Sequence, residues 1–152
     1  MPNYYQMEFP DWVNIFPITS DGEVLLIKQY RHPSGKVHIE VPGGTTDPHR
    51  NETAEEGARR ELLEETGYQC EKMIDLGPHY PNPALQSNRI QTYLALDCQQ
   101  VSEQNLDPYE ELSIYKCSLE QLKTHIEQGE IDHSLMLASI FKALTYKEKH
   151  NL

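Results

Sequence analysis

An α+β fold is predicted by three features of the chain. Runs of β-branched and aromatic residues bounded by Gly, Pro, Asn and Asp recur along it. A segment rich in Ala, Glu, Arg and Leu interrupts them and stops on a glycine. Two further helix-forming segments close the sequence. At 152 residues the chain buries about two-thirds of its extended surface, enough for one core. No repeat, low-complexity tract or linker divides it, so one unit spanning residues 1–152 is expected.

Taken in order, Trp12 to Thr19 mixes aromatic, β-branched and Pro residues, and Asp21-Gly22 supplies turn chemistry before Glu23 to Arg31. Two hairpin-paired strands are expected there. Val37 to Val41 alternates as a short strand and runs into Pro42-Gly43-Gly44, which should break it, with a loop following through Asn51. From Glu52 to Thr66, Ala54, Ala58 and Leu62 recur at i, i+4 and i+8, and Gly67 stands just past the end, the pattern of a helix with a glycine stop. Strand-like Met73 to Leu76, a Pro-rich loop from Gly77 to Asn88 and a strand at Arg89 to Leu96 come next. The loop Asp107-Pro108-Tyr109-Glu110-Glu111 precedes a brief strand, Leu112 to Cys117. Ser118-x-x-Gln121 reads as a capping box for a helix ending near Gly129, and Asp132 or Ser134 is the expected cap of a last helix through about Lys147.

Composition narrows the partners. The 24 acidic and 13 basic residues leave a net charge of −11, the wrong sign for gripping a long phosphate backbone, so bulk nucleic-acid binding is not expected. No apolar run reaches the roughly 18 residues of a membrane span. Met1 to Asp11 lacks the basic and apolar stretches of a signal peptide, so a cytoplasmic location is the expectation. Cys70, Cys98 and Cys117 show no C-x-x-C or Cys/His ligand spacing and read as reduced core thiols. His32, His38, His49 and His79 likewise show no ligand spacing and read as surface or partly buried residues.

The most informative stretch is Arg59 to Tyr68. A helix advances 100° per residue, so Glu61, Glu64 and Glu65 crowd one side at i, i+3 and i+4. Residues 52–65 hold six Glu and two Arg, a net of −4. Like charges at that spacing destabilise a helix unless something cationic compensates. Hard oxygen ligands on a rigid helix suit Mg²⁺, with Mn²⁺ as the alternative, the shell being completed by water and substrate phosphates. The alternative reading is an ordinary solvated Glu/Arg face. Gly57, mid-helix, is explained either by close approach of substrate or the preceding loop or by tight helix packing.

Glu52, seven intervening residues and then Arg60-Glu61-Leu62-Leu63-Glu64-Glu65-Thr66-Gly67-Tyr68 match the longer part of the Nudix box, G-x5-E-x7-R-E-U-x-E-E-x-G-U, position for position. The chain therefore resembles the Nudix hydrolase family. From Gly44 to Glu52 it has seven intervening residues where the box has five. Lys28-Gln29-Tyr30-Arg31, Glu40-Val41-Pro42-Gly43-Gly44 and Tyr80-Pro81-Asn82-Pro83-Ala84 are more loosely similar to the ADP-ribose pyrophosphatase and nucleoside diphosphate sugar hydrolase branch.

The resemblance implies an α/β/α sandwich with a mixed sheet between helices. It also implies Mg²⁺-dependent hydrolysis of a nucleoside diphosphate linked to a moiety X, such as ADP-ribose. By matching position, Glu61, Glu64, Glu65 and the Gly44 carbonyl would hold metal, and Arg60 would pair with Glu52 to brace the loop. Arg31, at the end of a strand opening toward that loop, can grip a phosphate bidentately. With Tyr30, Glu40 and Asn88 it makes up the expected substrate-binding set. Tyr80 and Tyr93 could stack on a base, although packing is the commoner use of a tyrosine. In that branch a Glu on the loop after the box activates water, and its place here falls on Asn88, which cannot accept a proton. The base must then be Glu64, or Glu110 or Glu111 ahead of the last strand.

The resemblance also implies a homodimer, although the roughly ten residues before Asp11 are a short extension for that branch. Two other readings remain open: a nucleoside triphosphate pyrophosphohydrolase, and a non-catalytic nucleotide sensor. The three glutamates weigh against the sensor, which would be expected to lose metal ligands.

Overall fold

The structure is a computed structural model that describes residues 5–46, 51–108 and 110–152. Residues 1–4 and 47–50, His49 among them, and Tyr109 lie outside the described residues. The chain runs β1 (Trp12–Thr19), β2 (Val24–Arg31), β3 (Lys36–Glu40), β4 (Gly43–Thr45), α1 (Ala54–Thr66), β5 (Tyr68–Gln69), β6 (Lys72–His79), β7 (Ile90–Gln100), β8 (Leu112–Cys117), α2 (Leu119–Glu127) and α3 (Ser134–His150). This is the expected α+β class: a mixed sheet with α1 on one face and α2 and α3 on the other.

β1 shows why the sheet is covered on both sides. Val13 and Ile15 enter a cluster with Ala58 and Leu62 of α1, whereas Phe16 and Ile18 enter a second cluster with Leu94, Leu122 and Ile140. A strand apolar on both faces belongs in the middle of such a sandwich. β1 pairs in parallel with β7, from Trp12 opposite Ile90 to Phe16 opposite Leu94, and antiparallel with β4.

The expected β1/β2 hairpin is therefore only partly formed. The two strands meet at one register pair, Ile18 opposite Val24, and then part. Each strand has two edges: those of β1 are taken by β7 and β4, and those of β2 by β3 and β8. Nor does the Pro42-Gly43-Gly44 segment simply end a strand. The chain breaks at Val41-Pro42 and resumes at once as β4, with Gly43 opposite Asn14 and Gly44 opposite Val13.

The helix ends follow local chemistry. Thr53 caps α1 in a full capping box with Glu56, and Gly67 closes it at φ 72, in the left-handed region that suits glycine. A Cβ on Gly67 would lie 2.2 Å from the Ser102 carbonyl oxygen. Ser118 and Gln121 form the expected box on α2. The cap of α3 is His133, with no side-chain cap bond, in place of Asp132 or Ser134. The Asp132 carboxylate is instead engaged by Lys36 and, at 2.9 Å, by His38. β6 extends past the expected Leu76 to His79, accommodated by Gly77 at φ 80 and a shift of register.

Candidate active site

The site forms where α1 packs against β1 and β4. Burial of Ala58 and Leu62 fixes the helix's rotation, which turns Glu61 and Glu65, four residues apart, toward the glycine strand β4. Glu65 is 3% exposed, and its Oε2 accepts a 2.8 Å hydrogen bond from the Gly43 amide. Burial lifts its pKa well above the ordinary range; the Gly43 bond opposes this, and the negative charges of Glu61 and Glu110 add to it. Glu61 is also shifted upward, mainly by burial, against the pull of Arg60. Glycine at position 44 leaves room for Glu61: a Cβ there would come within 2.6 Å of its carboxylate.

Arg60 ties the loop to the helix. Its Nε and Nη2 donate to Glu52 at 3.1 and 2.8 Å, Nη1 donates to Glu61 at 2.8 Å and Glu64 at 2.9 Å, and Nη2 also reaches the Thr45 carbonyl at 3.2 Å. Four acceptor residues on one guanidinium use its fork geometry fully. Its pKa is raised, first by the hydrogen bond to Glu52 and then, against burial, by Glu64 and Glu61. Gly57 makes room for this brace, because a Cβ there would sit 3.2 Å from a Glu52 oxygen. Of the two accounts of Gly57, close approach of the preceding loop matches this placement.

Beyond the carboxylates opens a cavity of ≈ 490 Å³, within the range of small-molecule sites. Glu61, Glu65, Glu110 and Arg31 line it, with Trp12 and His133. Arg31 is held from beneath: Nε donates to Glu40 Oε1 at 3.0 Å and Nη2 to Oε2 at 2.5 Å. Glu40 is 1% exposed, and the His133 ring meets its Oε1 at 3.3 Å. Burial alone would raise the Glu40 pKa, but the bonds from His133 and Arg31 win and hold it at about 2. The Arg31 pKa moves up, chiefly through the Glu40 bond, with Glu65 and Glu110 contributing through space.

The candidate residues are thus brought together unequally. Gly44, Glu61, Glu65, Arg31 and Glu40 line the cavity, whereas Glu52 and Arg60 brace it from the loop side. Glu64 points to Arg60 instead of lining the cavity. On the loop before β8, Glu110 lines the cavity and the exposed Glu111 does not. Asn88 is 2% exposed, stands outside the cavity wall, and has both side-chain polar atoms buried without a hydrogen-bond partner among the described residues. Tyr30 is exposed and packs edge-on to His32, Tyr80 is exposed, and Tyr93 is buried in the α1-side core. Lining residues outside the expected set include Trp12, Asn14 and His133. Asn14 carried a readable signal, the lone amide in a strand that is otherwise apolar up to Thr19. Its Nδ2 donates to Ser139 at 3.0 Å, which ties β1 to α3. His133 carried none, since only the packing of α3 brings it to Glu40.

Comparison with known proteins adds independent findings. The NUDIX domain model matches residues 9–139. An ADP-ribose pyrophosphatase of Bacillus subtilis (strain 168) is 28% identical over 126 residues, 82% of this chain and 67% of the relative. A methanol dehydrogenase activator of Bacillus methanolicus is 29% identical over 143 residues, 93% of this chain and 76% of the relative. The crystal structure of an ADP compounds hydrolase matches in fold with a TM-score of 0.82 at 23% identity, covering 92% of this chain and 74% of that one.

Proposed function

The chain belongs to the Nudix family and is a Nudix pyrophosphohydrolase, and from that premise we propose that it hydrolyses ADP-ribose or a related nucleotide sugar with the aid of Mg²⁺. The observation that carries this reading is the meeting of Glu61 and Glu65 with the Arg31 guanidinium across one cavity of suitable size. The products would be a nucleoside monophosphate and a phosphorylated X, AMP and ribose phosphate in the case of ADP-ribose. The similarity to an ADP-ribose pyrophosphatase supports that substrate class.

The donor set suits a hard divalent cation. Glu61 and Glu65 offer carboxylate oxygens, a side chain at position 44 would fill the space before Glu61, and burial makes Glu65 costly to ionise without a nearby cation. Among the described residues no group of three or more His, Cys, Asp or Glu side chains forms a ready cage. Substrate phosphate and water would therefore complete the shell, as Mg²⁺ commonly requires. When bound, such an ion offsets charge on the non-bridging oxygens and on the leaving phosphate.

The chain's own groups have separate tasks. Arg31, with its Nε–Nη2 edge fixed on Glu40, presents its remaining edge to a phosphate. Trp12 offers an aromatic face at the cavity wall. Glu110 is the proposed general base. It lines the cavity and lies close enough to Glu61, Glu65 and Arg31 to shift all three. It would accept the proton of a water that attacks one phosphorus as the bridging P–O bond breaks.

The test is a substrate panel of ADP-ribose, other nucleotide sugars, dinucleoside polyphosphates and nucleoside triphosphates, with Mg²⁺, Mn²⁺ or EDTA. ADP-ribose should yield AMP and ribose phosphate, and EDTA should abolish turnover. Release of inorganic pyrophosphate from triphosphates alone would move the assignment to a triphosphate pyrophosphohydrolase. Full activity after chelation would remove the metal from the account.

A further inference from the structure

On the far side of α1 from the cavity, two thiols face each other across the sheet. β5 pairs with β7 through Tyr68–Gln100 and Gln69–Gln99, and β6 pairs with the same strand through Lys72–Leu96 and Met73–Ala95. The register is the same on both sides of the gap, so Cys70 falls directly opposite Cys98. Directly opposed residues of an antiparallel pair have Cα atoms about 4.5–5.5 Å apart, inside the span a disulfide bridges.

The two thiols are not equivalent. Cys98 is 1% exposed, within the α1-side core. Cys70 is half-buried and lines a second cavity, ≈ 230 Å³, with Arg59, Leu62 and Gln69. Arg59 Nη1 lies 3.4 Å from the Cys70 sulfur and is itself held by Glu55 in an i,i+4 pair at 2.9 Å. The neighbouring Cys98 thiol draws the Cys70 pKa down to about 7, against burial and with further help from Arg59. Cys70, together with burial, pushes Cys98 up in turn. A thiolate beside a guanidinium, reachable from solvent, with a protonated partner behind it, is the arrangement of a reactive and a resolving cysteine. Cys117 is buried and stands apart, in the cluster on the opposite face of the sheet.

We propose that Cys70 and Cys98 form a peroxide-oxidisable dithiol, a modification site separate from the hydrolytic cavity, with hydrogen peroxide or a small hydroperoxide as oxidant. The Cys70 thiolate attacks one peroxide oxygen: an S–O bond forms, the O–O bond breaks and hydroxide leaves, the sulfur being oxidised to sulfenic acid as the peroxide is reduced. The Cys98 sulfur then attacks the Cys70 sulfur. The S–S bond forms, the S–O bond breaks, and the hydroxyl departs with the Cys98 proton as water.

The experiment uses the full chain, reduced, desalted and exposed to a few equivalents of hydrogen peroxide, followed by alkylation in denaturant and peptide mass spectrometry. The expected result is a Cys70–Cys98 linked peptide, loss of two hydrogens from the intact mass, alkylation confined to Cys117, and full reversal by dithiothreitol. Cys98→Ser, with Cys98→Ala as a second route if the hydroxyl is poorly tolerated, should instead leave a dimedone-reactive sulfenic acid at Cys70. Cys70→Ser should abolish the linkage. Arg59→Gln should slow oxidation of Cys70 severalfold at neutral pH. The proposal is overturned if the wild-type chain alkylates at all three cysteines after peroxide. It is equally overturned if Cys70 passes to sulfinic acid as fast with Cys98 present as without it, or if the bridge joins two chains or involves Cys117.

Discussion

Glu40 shows how a single carboxylate can set both stability and binding. Its pKa stands at about 2 in the folded chain against an ordinary value of 4.5. A carboxylate with a lowered folded pKa contributes stability that is fully present above its unfolded value and is lost as the pH falls through the folded one, here between about 4.5 and 2. The shift corresponds to about 3 kcal/mol. Glu40→Gln should lower the free energy of unfolding at pH 7 by roughly that amount and flatten the acid limb, as read by urea titrations between pH 2 and pH 7. Because Arg31 rests on this carboxylate, the same variant should raise KM more than it lowers kcat. Gly44→Ala tests the other wall. A methyl group 2.6 Å from the Glu61 carboxylate displaces it, and a shift of about 1 Å costs on the order of 10²-fold in kcat/KM. The flexible end of Glu61 can yield, so thermal stability should change little. For the base, Glu110→Gln should lose on the order of 10² to 10⁴ in rate while Glu111→Gln stays near wild type. The reverse order would move the assignment to the neighbouring residue.

Among the elements, α1 was the most legible, because every signal that defines it is local. The apolar spacing, the glycine stop at Gly67 and the Arg60-Glu61 pair lie within a few turns, and the observed Ala54–Thr66 agrees with the expected segment to within two residues. Thr53 and Glu56 close its first turn as a capping box. Thr53→Ala should cost about 1 kcal/mol, seen as a lower urea midpoint at unchanged slope. The ends of β6 and α3 were less legible, since what fixes them comes from elsewhere in the chain. β6 continues through Gly77 because β7 offers it a long edge, and Asp132 is drawn from the α3 cap to Lys36 and His38. The same reasoning separates the candidate residues. Those on α1 and β4 follow from the helix repeat and the glycine pair, whereas Glu110 over Glu111, and His133 beneath Arg31, depend on how loop and helix pack.

For the molecule as a whole, the acidic helix and a divalent cation should be linked in stability. A ligand that binds only the folded state at a hundred times its Kd adds about 2.7 kcal/mol. For a chain of 152 residues that is a rise in Tm of roughly 5–11 °C. Thermal melts with saturating Mg²⁺ and with EDTA should differ by that margin, and Glu61→Gln together with Glu65→Gln should erase the difference. Among the described residues no helix is long and apolar enough to cross a membrane.

The parallel ladder between β1 and β7 has a temporal consequence as well. Trp12, the single tryptophan, is paired on one edge with Thr45 of β4 and on the other with Ile90, far along the chain. During synthesis β1 can meet β2 and β4 early, but its parallel edge stays open until β7 has left the ribosome. On refolding, the indole emission should report a late, slow closure in milliseconds to seconds, not early collapse. Substitutions at this seam would then slow the rate of acquiring the native state more than they hasten its loss.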